Sequence, residues 1–171
     1  MPHFDTLLDE TLEAWSDVRQ GLIEELENIP DDRFDFRPTP EVRSVAELTQ
    51  HILEVALMMT GELTRPDTDF RRAPWPELLD LYAAHVGEVT SKRELIELLE
   101  ESFQEAEQKF IEAGELHMVQ LIERFDGEKG TRLAWLNHGI AQEMYHRGQV
   151  VTYERLMGIE PALTRKIRQM G

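Results

Sequence analysis

Cysteine is absent from the 171 residues of this chain. Its absence excludes disulfides, thiolate metal sites and a cysteine nucleophile, so a metal would have to bind histidine, carboxylate or amide groups. Long apolar runs are also missing, because the purely apolar stretches are as short as Val55 to Met59 and cannot span a membrane. The start, Met1 to Asp5, lacks the cationic and apolar segments of a signal peptide, and we expect a cytoplasmic protein.

Basic residues are scarce, since 18 lysines and arginines face 34 acidic residues and the formal net charge is −16. Such a charge repels phosphate backbones and anionic lipid, so the sequence predicts no nucleic-acid partner and no membrane partner. The composition is otherwise that of a globular protein, with 41% hydrophobic and 30% charged residues. At this length we expect one domain that covers residues 1–171.

The common local signatures of catalysis are missing too. The sequence has no glycine-rich phosphate loop, no nucleophile elbow and no Ser/His/Asp pattern with usable spacing. It does contain four long segments with apolar residues at helical spacing and no convincing strand, which predicts an all-α four-helix bundle. The connections between helices one and two and between two and three are longer than a minimal hairpin needs.

Capping signals mark the ends of these helices. Asp5 is the predicted cap of the first, which runs to about residue 28. Ser44 and Ser91 each precede a glutamate by three residues and predict capping boxes for the second and third. Gly114 is the predicted end of the third helix, and Thr131 caps a fourth that extends to about residue 157. Short helical pieces are predicted around residues 77–84 and after residue 159.

The last long helix carries polar residues on a face that the pattern predicts to be buried. His138, Gln142 and His146 recur every four positions and project along one stripe. Close to that stripe lie Trp135, Gln149 and Tyr153, and a second, apolar side consists of Leu133, Leu136, Ile140, Met144 and Val151. Polar groups removed from water need partners, and a zinc, nickel or iron ion suits imidazole. Gly148, in the same helix, predicts close approach by another helix.

Three segments carry a resemblance to a known family. They are Ser44-Val-Ala-Glu-Leu-Thr-Gln-His51, Gln142-Glu-Met-Tyr-His-Arg-Gly-Gln149 and Tyr153-Glu-Arg-Leu-Met-Gly158. Together with the order and length of the helices, they resemble the DinB/YfiT-like metalloenzyme superfamily, or DinB family, over nearly the whole chain. The resemblance implies a four-helix bundle that holds a divalent metal through three histidines. Their positions correspond to His51 on the second helix and to residues 142 and 146.

Position 142 departs from this pattern because it is glutamine. A neutral amide oxygen is a poorer match than imidazole for zinc or nickel, so the site would bind such a metal weakly or not at all. Three possibilities stay open: His138 takes the vacant role, Gln142 holds a water or completes a weak metal site, or His51, Gln142 and His146 form a hydrogen-bond network without metal. Glu143 follows as in a zincin motif that has lost one histidine, and an ion-pair role is as consistent with the sequence as a general base.

Two classes of function follow, the first implied by the resemblance and the second by the departure at position 142. One is a metal-dependent S-transferase that joins a low-molecular-weight thiol, such as bacillithiol or mycothiol, to an electrophile. The other is a non-catalytic bundle, a binding or stress-related protein in which the metal site is degenerate. A role on DNA is opposed by the negative charge. The apolar second side of the last helix predicts a homodimer formed through one pair of helices.

Overall fold

Four long helices build the computed structural model, which describes residues 5–67 and 69–171. They are α1 (Leu7–Asn28), α2 (Val45–Leu63), α4 (Lys92–Ala113) and α6 (Arg132–Leu156). The shorter elements are α3 (Trp75–Ala83), the one-turn α5 (Glu115–Met118), strands β1 (Leu121–Glu123) and β2 (Lys129–Thr131), and α7 (Ala162–Met170). The predicted four-helix bundle is confirmed, whereas the small antiparallel hairpin of β1 and β2 was not predicted. No helix in either described range is both long and apolar enough to cross a membrane.

The helix starts follow the capping signals, with one exception. At the start of α2 the Ser44 hydroxyl accepts the backbone N–H of Glu47, and the Glu47 carboxylate accepts the backbone N–H of Ser44 at 2.9 Å. The predicted cap at Asp5 is wrong, because Thr6 occupies the N-cap of α1 and forms a reciprocal pair with Asp9 at 3.0 Å in both directions. The cap at Thr131 and the helix end at Gly114 are also found as predicted. Only half of the predicted capping box at Ser91 is found, because the Ser91 hydroxyl accepts the backbone N–H of Glu94 at 3.5 Å and the reciprocal bond is not made.

The arrangement of the four helices explains the long connections. Each of α1 and α2 packs against both α4 and α6, so these two consecutive helices lie diagonally across the bundle. Contacts such as Trp15 with Glu143 and Asn28 with Glu154 show that α1 and α6 run in the same direction. The chain must therefore cross the end of the bundle between α1 and α2. It must also return along the bundle between the parallel helices α2 and α4, where α3 packs on α2.

Two apolar clusters fill the interior, and both draw on all four long helices. Among the largest fully buried side chains are Leu22, Leu53, Met58, Phe70, Leu99 and Phe110. Burying one such side chain contributes about 1.5–3 kcal/mol relative to leaving it in water. The bundle is thus held mainly by apolar packing, as the helical periodicity predicts.

One prediction about α6 is wrong. A Cβ atom on Gly148 would meet nothing within 4 Å, so this glycine faces open space and marks no helix crossing. On the apolar second side of α6, Leu136 is buried within the chain, whereas Met144 is 47% exposed. The close approach occurs instead at Gly21 of α1, where a Cβ would lie 2.2 Å from the guanidinium carbon of Arg147. The apolar periodicity of α6 alone could not show that the Arg147 side chain packs against α1 at this position.

Buried carboxyl groups attach α7 to the bundle. Glu25 of α1 accepts the backbone N–H groups of Ala162 at 2.6 Å and Leu163 at 3.2 Å, so it supplies the N-terminal cap that α7 lacks in its own sequence. Glu154 of α6 lies beside Glu25 and accepts a hydrogen bond from Asn28 at 2.7 Å. Burial and the neighbouring Glu25 carboxyl group raise the pKa of Glu154 well above its ordinary value.

Candidate metal centre

His51, Gln142 and His146 meet between α2 and α6. The Gln142 Nε2 atom lies 3.3 Å from His51 Nε2 and 3.5 Å from His146 Nε2. The two imidazole rings stand nearly perpendicular, with their centroids 5.0 Å apart. Because Gln142 and His146 are one turn apart on α6, both can face the same residue of the neighbouring α2. The structure therefore brings together the three residues that the sequence singled out.

The outer nitrogens of the two rings have different surroundings. His146 Nδ1 lies 2.7 Å from Gln149 Oε1, within hydrogen-bond distance. His51 Nδ1 lies 4.0 Å from Glu54 Oε2, which is too far for a direct hydrogen bond. Both rings thus direct Nε2 towards the Gln142 amide, and one of them is also held from behind by a side chain.

Burial is the main electrostatic influence on His51. It lowers the pKa of this imidazole to about 4, and the nearby Arg43 and His146 side chains lower it further. His51 is therefore neutral at pH 7 and keeps one ring nitrogen free to accept a hydrogen bond or to bind a metal. Burial also raises the pKa of the neighbouring Glu54 carboxyl group.

The donor atoms at this position fit a weak divalent-metal site better than a strong one. The described part of the chain contains no group of three His, Cys, Asp or Glu side chains able to share a metal. The set around Gln142 consists of two imidazole nitrogens and one amide. An amide turned by 180° about its last torsion would present an oxygen in place of the NH2 group. His51, His146 and the Gln142 oxygen could then hold an ion, with a neutral third ligand weaker than imidazole.

His138, the alternative ligand, lies one turn away from this group. Its side chain is exposed, and its ring packs on Trp135 with the centroids 4.9 Å apart. Trp135 belongs to an aromatic cluster with Phe70 and Phe125. Within the described residues, His138 makes no hydrogen bond to His51, Gln142 or His146. Tyr153, also near the stripe, donates its hydroxyl hydrogen to the Arg43 carbonyl at 3.2 Å and so ties the start of α2 to α6.

Glu143 forms a buried ion pair rather than part of the imidazole group. Its oxygens accept hydrogen bonds from Trp15 Nε1 at 2.8 Å and from Arg19 at 2.6 and 2.9 Å. Arg19 also donates to the Leu99 carbonyl at 2.7 Å, so the pair joins α1, α4 and α6. The sequence left this role open beside a general base. The sequence could not identify Arg19 as the partner of Glu143, because the two residues lie 124 positions apart and no local pattern links them.

A narrow apolar cavity adjoins the site between α2 and α6. It is lined by residues that include Trp15, Ile52, Met59, Gly139 and Gln142. Its volume of about 10 Å³ has room for roughly one water molecule. A larger cleft of about 380 Å³ lies between α2, α3 and α4 and is lined by residues such as Leu57, Tyr82 and Ser102. None of the three candidate ligands lines that cleft.

The fold and the site together define a four-helix bundle with imidazole and amide donors gathered between two of its helices. The chain belongs to the DinB family, whose model matches residues 1–170. Comparison with curated protein sequences gives no match.

Several solved structures share the fold. YfiT from Bacillus subtilis, described as a probable metal-dependent hydrolase with an unusual four-helix bundle topology, is 12% identical with a TM-score of 0.71, covering 94% of this chain and 95% of its own. A DinB-like protein from Bacillus subtilis is 21% identical with a TM-score of 0.65, and the match covers 87% of this chain and 92% of that one. A mycothiol-dependent maleylpyruvate isomerase is 17% identical with a TM-score of 0.67, covering 88% of this chain and 63% of its own.

Proposed function

We propose that this DinB family protein binds a divalent metal weakly through His51, His146 and the side-chain oxygen of Gln142, and acts on a low-molecular-weight thiol. The observation that carries the proposal is the position of the Gln142 amide, within 3.5 Å of both Nε2 atoms. The similarity to a protein described as mycothiol-dependent supports a thiol as the small-molecule partner. The reaction we propose is a metal-dependent conjugation, in which the S–H bond of that thiol loses its proton and the sulfur forms a new bond to a carbon atom of an electrophile.

The chain's own residues limit how such a reaction could proceed. When bound, a divalent metal lowers the pKa of a coordinated thiol, so that the thiolate forms at neutral pH. The thiol must come from a small molecule, because the chain has no cysteine. Glu143 is not free to take a proton from a substrate, since both of its oxygens accept hydrogen bonds from Trp15 and Arg19. His51 stays neutral at pH 7, so protons do not compete with a metal ion for its ring nitrogen.

A second candidate function is a non-catalytic bundle with a degenerate metal site. It is favoured by the amide nitrogen itself, because an NH2 group between two imidazole nitrogens can donate one hydrogen to each. Such a network gives each imidazole Nε2 atom a hydrogen-bond donor without a metal. The protein would then be a binding or stress-related protein that has kept the cavity of its relatives.

Metal binding by the wild-type protein separates the two functions. We expect protein purified without a histidine tag or chelator to retain less than one equivalent of metal and to bind one equivalent on titration with Zn²⁺ or Ni²⁺, measured by plasma mass spectrometry after gel filtration. His51→Ala should abolish this binding because it removes one of two imidazole ligands. His138→Ala is the matched control and should leave it unchanged.

Each other outcome has a definite meaning. Absence of saturable binding in the folded wild-type protein would exclude the metal site and favour the non-catalytic bundle. Loss of binding in His138→Ala would show that this histidine, and not Gln142, is the third ligand. If one equivalent binds, consumption of a low-molecular-weight thiol by an electrophile in the presence of metal-loaded protein tests the transfer reaction.

We also propose a homodimer that forms through the exposed side of α6. This side carries apolar side chains that a monomer leaves in water, with Tyr145 65% and Leu156 60% exposed. We expect light scattering at micromolar concentration to give the mass of two chains, and Leu156→Glu to give the mass of one. Leu116→Glu, at an 85% exposed position on α5, should leave the dimer intact. A monomeric wild-type protein would contradict the proposal.

One domain over residues 1–171 is likewise a proposal. It is supported by the two apolar clusters, because each combines residues from α1, α2, α4 and α6 and neither belongs to a separate part of the chain. The cytoplasmic location stays a prediction from the sequence.

A further inference from the structure

We infer that Gln149 is a positioning residue, which keeps a hydrogen on Nδ1 of His146 and so leaves the Nε2 lone pair facing Gln142 and His51. The inference rests on the proposed function, because Nε2 is the atom that would bind the metal. It goes beyond that function by assigning a task to a residue that is not itself a ligand.

The first observation is the contact behind the ring. Gln149 follows His146 by three positions on α6, so the two side chains lie on the same face of the helix. The distance of 2.7 Å between Gln149 Oε1 and His146 Nδ1 is short for a hydrogen bond to nitrogen. With the Gln149 amide in this orientation its carbonyl oxygen only accepts, so Nδ1 carries the hydrogen and in a neutral ring Nε2 is bare.

The second observation comes from the front of the ring and agrees with the first. Gln142 presents its NH2 group at 3.5 Å from His146 Nε2, and an amide nitrogen only donates. A hydrogen on Nε2 would therefore face another donor, while Nδ1 would direct a lone pair at an oxygen. Both contacts favour the same tautomer.

His51 provides an internal comparison. Its Nδ1 lies 4.0 Å from Glu54 Oε2, beyond hydrogen-bond distance, so among the residues that the structure describes no side chain makes a hydrogen bond to that nitrogen. The effect of Gln149 should consequently be confined to His146. In metal sites, the groups that hold the outer nitrogen of a histidine typically change metal affinity by about 10–100-fold when removed.

The test reads the tautomer in metal-free protein. With ¹⁵N-labelled histidine at pH 8, where an unperturbed imidazole is neutral, nitrogen chemical shifts identify the protonated ring nitrogen. We expect His146 of the wild type to carry its hydrogen on Nδ1, and Gln149→Leu to shift a large fraction of His146 to the Nε2–H form. Gln149→Glu should restore the wild-type tautomer because a carboxylate also accepts. Gln104→Leu, on the exposed surface of α4 across the bundle, is the matched control and should change nothing.

Zn²⁺ titration of the same variants gives a second measurement. We expect Gln149→Leu to lower the affinity by about 10–100-fold and Gln149→Glu to recover most of it. A wild-type His146 with its hydrogen on Nε2, or a tautomer that Gln149→Leu leaves unchanged, would overturn the inference. If the tautomers behave as expected and the wild type binds no metal, the positioning role stands and the proposed function fails.

Discussion

Replacing Gln142 by histidine should raise the affinity for Zn²⁺ or Ni²⁺ by roughly two to three orders of magnitude. The reason is the donor set, which changes from two imidazoles and a neutral amide to three imidazoles at positions that already converge. Isothermal titration of metal-free protein at pH 7.5 measures the change. Zn²⁺ should also raise the melting temperature of Gln142→His more than that of the wild type, because at a given concentration a tighter ligand stabilises the folded state more, by an amount that grows with the logarithm of its affinity.

The metal-free form of this variant should be less stable than the wild type. Gln142 is the hydrogen-bond donor to His51 and His146, and a third imidazole can donate to only one of them. We expect the free energy of unfolding to fall by about 1–2 kcal/mol without metal.

Thr152→His is the matched control for Gln142→His. It adds the same side chain ten residues further along, on the exposed side of α6. It should leave metal affinity at the wild-type level. Equal gains in the two variants, or no gain in Gln142→His, would show that position 142 does not complete a metal site with His51 and His146.

Truncating either partner of the buried pair between Arg19 and Glu143 should have the largest effect on stability. We expect Arg19→Ala or Glu143→Ala to lower the free energy of unfolding by about 3–5 kcal/mol in urea denaturation at pH 7. The two side chains are 3% and 4% exposed and 2.6 Å apart, so the remaining partner would be a buried, uncompensated charge. Trp15 would lose its hydrogen-bond acceptor as well in the Glu143 variant.

The double variant Arg19→Met/Glu143→Leu tests the reason for that loss. It removes both charges and keeps apolar volume, so it should recover much of the stability lost in either single variant. The surface pair Arg93–Glu97, at 3.6 Å on the outside of α4, provides the control. Arg93→Ala should change the free energy of unfolding by less than about 1 kcal/mol. Single losses below 1 kcal/mol at Arg19 and Glu143 would contradict a buried pair that joins three helices.

Much of the candidate site could be predicted from the chain because its residues follow helical periodicity. Gln142, His146 and Gln149 share a face of α6 by spacing alone, and the resemblance to a family added His51. What could not be predicted is how the three polar groups contact one another. The orientation of an amide between two rings depends on the distance between α2 and α6, which no local pattern encodes.

The four long helices and most of their ends can be predicted from local signals, because apolar spacing and caps such as Ser44 and Glu47 act within a few residues. The diagonal placement of α1 and α2, the pairing of Glu143 with Arg19 and the open space at Gly148 became known only from the packing of the helices. These features depend on contacts between residues far apart in the chain. A buried charge can be assigned a role only when the partner that compensates it is known.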